Sequence, residues 1–166
     1  MSESVVLVSL DNRLATVTLN RPEKLNALNA ELRSTFVRAM QQLRTNRDVG
    51  CVIITGAGRA FCAGLDLKEL STAQLRESGG ANFVSVIEDM EVPVIAAVNG
   101  FAVTGGFELA LACDIMIAAE TAQFADTHAR VGVMPGGGMA ARLPVATAIS
   151  EGFYLQVGNL NDATRV

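Results

Sequence analysis

Three side chains could move a proton or hold charge: Glu108, Asp126 and His128, the last being the only histidine in the chain. Glu108 follows Gly105-Gly106 and stands in the first turn of an otherwise apolar segment, Phe107 to Ala112. A glycine pair where a strand feeds a helix lets backbone N–H groups approach a ligand, and the helix start adds partial positive charge. Such a corner suits an anion. The plainer reading of Glu108 is an acidic residue that favours the helix dipole, but in so apolar a segment it is not there for solubility alone. His128 lies in a stretch rich in glycine and proline. A lone histidine is more often a hydrogen-bonded structural residue than a catalyst. Asp126 stands two residues earlier, so in an extended chain both side chains point to one face.

The elements that must position these groups alternate between strand and helix patterns. Residues 5–10 and 14–19, with Asp11-Asn12-Arg13 between them, suit a hairpin. Residues 20–28 read as a loop, and Asn29 can cap a helix from Ala30 to about Thr45. Leu32, Phe36, Met40 and Leu43 then share its apolar face. The continuous apolar run from Cys51 to Thr55 predicts a strand buried on both faces. Gly56-Ala57-Gly58 ends that run without making a dinucleotide fingerprint, because Phe61 occupies the third glycine position. Residues 60–67 form a second small-residue corner, followed by a polar, mobile stretch at 69–80. Residues 81–91 put Phe83, Ile87 and Met90 on one helical face, and Pro93 opens a strand at 94–98. Another short strand is expected at 114–118, a loop at 122–138 and a helix from Met139 through Ala148, after which no strong pattern remains. The alternation predicts an α/β fold with right-handed crossovers.

Composition narrows the function. The 166 residues, half of them hydrophobic, can build one real core, yet no apolar run reaches the roughly 18 residues of a membrane span. The formal charge of −4, one Tyr and no Trp argue against nucleic acid as a partner. Cys51, Cys62 and Cys113 are scattered singly in apolar or glycine-rich surroundings, as buried reduced thiols are. The N-terminus has no secretory pattern, so a cytoplasmic location is expected.

Four blocks resemble the crotonase, or enoyl-CoA hydratase/isomerase, superfamily in that family's order. They are LNRPEKLNAL at 19–28, GRAFCAGLDLKEL at 58–70, PVIAAVNGFAVTGGFELALACDIMIAAETAQFA at 93–125 and VGVMPGGG at 131–138. The resemblance implies a spiral of ββα turns, an acyl-CoA ligand, and an oxyanion hole formed by the backbone N–H groups of Leu65 and Gly105. It assigns Lys24, Leu25, Ala27 and Ala63, with Gly64, Asp66 and Gly106 beside them, to substrate and CoA binding. Glu108 falls on the first of two glutamates that hold a water in the family's hydratases. The second position carries His128. No metal or redox cofactor is implied, since the thioester itself takes up the electrons as an enolate develops.

Two departures qualify that likeness. An imidazole exchanges a proton near neutral pH but does not share a water as a second carboxylate does. The chemistry is therefore open between hydration and a double-bond isomerisation with one base, and a non-catalytic acyl-CoA-binding or assembly module is a third reading. The likeness also fades after Pro144, so residues 1–144 read as a crotonase-like core and 145–166 as an atypical tail. The C-terminal helical region that completes the pocket and supports trimers or hexamers in the family is expected to be missing or altered. Apolar surface is then left for a homo-oligomer to cover.

Overall fold

A computed structural model of the chain describes residues 4–70, 83–149 and 156–157. The N-terminal hairpin forms as expected: β1 (Val6–Asp11) pairs antiparallel with β2 (Leu14–Leu19). Asn12 and Arg13 take positive φ in the turn. Helix α1 (Ala30–Thr45) begins where Asn29 Oδ1 accepts the Leu32 N–H, a cap that contributes about 0.5–2 kcal/mol. Leu32, Phe36, Met40 and Leu43 are buried on one side of α1, and Ala39 lies with them.

Beyond α1 the chain climbs as a repeated unit, each turn giving one strand to each of two sheets. Strands β3 (Cys51–Gly56), β5 (Val94–Val98) and β7 (Ile115–Ala118) extend the hairpin into a five-stranded sheet, in the order β1-β2-β3-β5-β7. Strands β4 (Ala60–Cys62), β6 (Phe101–Val103), β8 (Gln123–Asp126) and β9 (Gln156–Val157) form the second, in the order β4-β6-β8-β9. Every pairing after the hairpin is parallel. Parallel neighbours need crossovers, and helical segments follow the strand pairs: α2 (Leu67–Leu70), α3 (Ser85–Glu88), α4 (Gly105–Leu111) and α5 (Met139–Ile149). This is the ββα spiral of the crotonase fold.

Several local expectations change. The run at β3 alternates, with Val52, Ile54 and Gly56 buried while Cys51, Ile53 and Thr55 are half-buried, so only one of its faces is sealed. Within 83–91, the described part of the helix expected at 81–91, the helical residues are Ser85–Glu88, and Phe83, Ile87 and Met90 all pack on the core as their spacing requires. Most of the polar stretch at 69–80 lies outside the described residues. The stretch at 122–138, read as loop, contains β8 and a 3-10 turn at Ala129–Val131. Helix α5 runs through Pro144 to Ile149, so the chain is helical across residue 144. No helix among the described residues is long and apolar enough to cross a membrane.

The main core lies between α1 and the first sheet, where Val17, Leu19, Phe36, Met40, Val52 and Ile54 are buried. A smaller cluster of Phe107, Leu111, Met139 and Leu143 joins α4 to α5. That cluster matters for the site. It fixes the helix that carries Glu108 to the segment that approaches its carboxylate.

Candidate active site

The two small-residue corners meet. Gly64 sits at φ 91°, and a Cβ there would lie 2.9 Å from the Val103 carbonyl oxygen and 3.5 Å from the Gly105 nitrogen. Leu28 explains how the Leu65 corner is aimed: its N–H donates to Gly64 O at 2.7 Å and its carbonyl accepts from Asp66 N at 3.2 Å. In parallel pairing this directs the N–H of the intervening residue, Leu65, away from Leu28. Among the described residues neither Leu65 N–H nor Gly105 N–H is taken by a backbone carbonyl.

The second corner is held under strain. Thr104 adopts φ 53° and ψ −115°, a conformation that costs a β-branched residue on the order of 1–3 kcal/mol. Its N–H donates to Ala125 O at 2.8 Å and its hydroxyl lies 2.6 Å from that of Thr127, so β8 sustains the turn. Gly106 then packs against β4, where a Cβ would fall 2.1 Å from Cys62 O. Cys62 itself is no nucleophile, because burial pushes its thiol up to about 12.

Glu108 is 3% exposed on α4. Its Oε1 accepts from Gly137 N at 2.7 Å and from Met139 N at 3.3 Å, and its Oε2 stands 3.6 Å from His128 Nε2. His128 is 4% exposed, with Nδ1 lying 2.6 Å from Asp126 Oδ1. The expected shared strand face is not the cause of this contact. His128 is already helical at φ −53° and ψ −49°, and Asp126 reaches it by a tight turn in which Oδ1 also accepts His128 N at 3.0 Å.

The remaining residues singled out in the sequence surround the corners. Lys24 is exposed at the end of the 3-10 turn Pro22–Lys24, and Leu25 follows in a left-handed conformation. Ala63 N donates to Leu25 O at 3.0 Å, which ties the loop to the corner beside Leu65. Asp66 is engaged by Arg21 at 3.3 Å, both side chains being largely buried, so its carboxylate braces the same two segments. A cavity of about 530 Å³ borders Asp126, Pro135, Met139 and Leu143 on the α5 side, and neither Leu65 nor Gly105 lines it. Among the described residues no group of three or more His, Cys, Asp or Glu could hold a metal ion.

Three contributors were not singled out in the sequence. Asn26 is fully buried, donating to Ala57 O and Ala60 O at 2.9 and 2.8 Å and accepting from Arg21 N at 2.8 Å. A second asparagine in the loop at 20–28 was its only signal. Thr104 gave none. Gly137 looked like part of a flexible tract, yet a Cβ on it would stand 2.8 Å from Glu108 Oε2.

The enoyl-CoA hydratase/isomerase family profile matches residues 9–154, and the chain belongs to this family. It is 40% identical over 144 residues to a short-chain-enoyl-CoA hydratase of Clostridium acetobutylicum, covering 83% of this chain and 55% of that protein. The crystal structure of an enoyl-CoA hydratase from Mycobacterium smegmatis matches with a TM-score of 0.73 at 55% identity, over 86% of this chain and 59% of that one. The Mycobacterium marinum enoyl-CoA hydratase EchA1 matches with a TM-score of 0.77 at 38% identity, over 86% and 57%. The chain thus spans less than two thirds of the length of these relatives.

Proposed function

We propose that the protein adds water to the double bond of 2-enoyl-CoA thioesters. The reading is carried by the packing of Gly64 against Gly105, which brings the Leu65 and Gly105 N–H groups into one neighbourhood one helical turn from the buried carboxylate of Glu108. Attack of water on the β carbon drives charge onto the thioester oxygen. Donors fixed in advance stabilise that charge more as it grows, and removing one typically costs about two to three orders of magnitude in rate. Glu108 takes the proton of the attacking water, and His128 stands where the family's hydratases carry the second glutamate. Lys24, Leu25, Ala27 and Ala63 receive the CoA arm, with Gly64, Asp66 and Gly106 shaping the corner. The relatives named as hydratases support the same chemistry.

A cytoplasmic location and a homo-oligomer, trimer or hexamer by the family resemblance, complete the reading; Ile115 and Ile117 on the edge strand β7, 50% and 60% exposed, leave apolar surface for another copy to cover. The replacement of a second carboxylate by His128 favours one further reaction, migration of a double bond by a single base. Crotonyl-CoA and a 3-enoyl-CoA, each followed by the absorbance of the conjugated thioester, separate the two. Hydration removes that absorbance and isomerisation creates it. Tight ester binding with neither change would instead point to a binding module.

A further inference from the structure

We propose that Asp126 is a positioning residue that holds His128 as its Nδ1–H tautomer and so presents a proton-accepting Nε2 to Glu108. The catalytic part of this proposal rests on the reading of Glu108 as the base; the tautomer itself rests on geometry alone. An ionised carboxylate only accepts hydrogen bonds, so at 2.6 Å from Asp126 Oδ1 it is Nδ1 that carries the hydrogen. In the neutral ring Nε2 is then bare. It faces Glu108 Oε2 at 3.6 Å, just beyond a direct hydrogen bond and close enough for a small rotation to make one once the Glu108 carboxyl carries a proton to donate.

Both partners of the imidazole are themselves fixed. Asp126 Oδ1 also takes the His128 backbone N–H, while Oε1 of Glu108 is held by Gly137 N and Met139 N. The facing side chains of His128 and Glu108 are 5% and 4% exposed, so bulk water competes little for the gap. Asp126 and Glu108 are the charged groups that face the ring, one at each nitrogen.

This arrangement gives a single carboxylate the service of two. As the water oxygen bonds to the β carbon, Glu108 takes a proton from it. The proton crosses from Oε2 to Nε2, restoring the carboxylate and leaving an imidazolium whose charge Asp126 offsets. Nε2 then gives that proton to the α carbon, and the enolate electron pair forms the new C–H bond. One water is consumed, its hydroxyl on the β carbon and its proton on the α carbon, and the site returns to its starting state.

Because His128 is the only histidine, protein labelled with 15N-histidine gives a single imidazole spectrum. At a pH where the ring is neutral, the protonated nitrogen is expected to be Nδ1 in the parent chain and mainly Nε2 in Asp126→Asn, whose amide can donate to Nδ1. With crotonyl-CoA the variant should lose about 10²-fold or more in kcat with KM within about threefold, the range of general acid–base catalysis. Asp126→Ser, tested with it, replaces it if the amide variant does not fold. Nδ1–H persisting as the major form in the variant, or Nε2–H in the parent chain, overturns the proposal. So does a tautomer change that leaves kcat untouched. A tautomer change in a chain that hydrates no enoyl-CoA supports the positioning role and removes the hydratase reading instead.

Discussion

The Gly137 N–H donates to Glu108 Oε1 at 2.7 Å, and a Cβ on Gly137 would stand 2.8 Å from Oε2 and 2.9 Å from Cδ of the same carboxylate. The glycine is there for closeness, since its φ lies outside the left-handed region. It lets the backbone after Pro135 seat directly on the acid of α4.

Gly137→Ala should therefore push the carboxylate out of line while leaving the rest of the fold in place. A displacement of about 1 Å can cost roughly 10²-fold in rate, so kcat on crotonyl-CoA should fall by about that factor. Gly136→Ala is the control, because nothing lies within 4 Å of a Cβ there. Equal activity in the two variants would contradict the seating described.

Asn26 should matter for stability. Replacing it by Ala strands Ala57 O and Arg21 N in a loop packed against the Leu65 corner, and takes from Ala60 O its buried donor. Each unsatisfied buried group costs about 1–3 kcal/mol, so the urea midpoint should drop by an amount equivalent to at least about 2 kcal/mol. A midpoint within experimental scatter of the parent chain would show that the loop is held by other contacts.

Two thiols give a pH dependence. Burial pushes Cys62 up to about 12, and burial together with the neighbouring Asp114 pushes Cys113 up to about 12, from the ordinary 9.0. The sign follows from proton linkage: the unfolded chain releases these protons first, so the stabilisation is complete below pH 9 and is lost as pH rises toward 12. Urea midpoints across that window should fall more steeply for the parent chain than for a Cys62→Ala, Cys113→Ala variant. Parallel slopes would mean that the thiols are not sealed.

Much of this architecture was legible in the residues. Leu32, Phe36, Met40 and Leu43 recur at helical spacing because one face of α1 must be apolar, and Asn29 precedes them because helix N-termini need an acceptor. Strands β4, β6 and β8 are only three or four residues long, too short for a period to declare itself. Their pairing, rather than their composition, makes the second sheet. The site divides the same way. Glu108 stood out as a carboxylate in an apolar helix, and His128 by its type. Their approach to 3.6 Å depends on a local turn at Asp126 and on a strained Thr104, the second held by its contact with β8. Gly137 is legible only once Glu108 has a place.

The central claim is that Glu108 is the base that activates water beside the Leu65 and Gly105 donors. Glu108→Gln keeps the shape of the side chain and an oxygen for the Gly137 and Met139 N–H groups, but removes the base. The most direct measurement is crotonyl-CoA hydration by the parent chain and this variant, with ester affinity measured alongside. The account predicts hydration by the parent chain, a loss of at least about 10²-fold in kcat in the variant, and CoA-ester binding changed by no more than a few fold. Unchanged turnover in Glu108→Gln would contradict it.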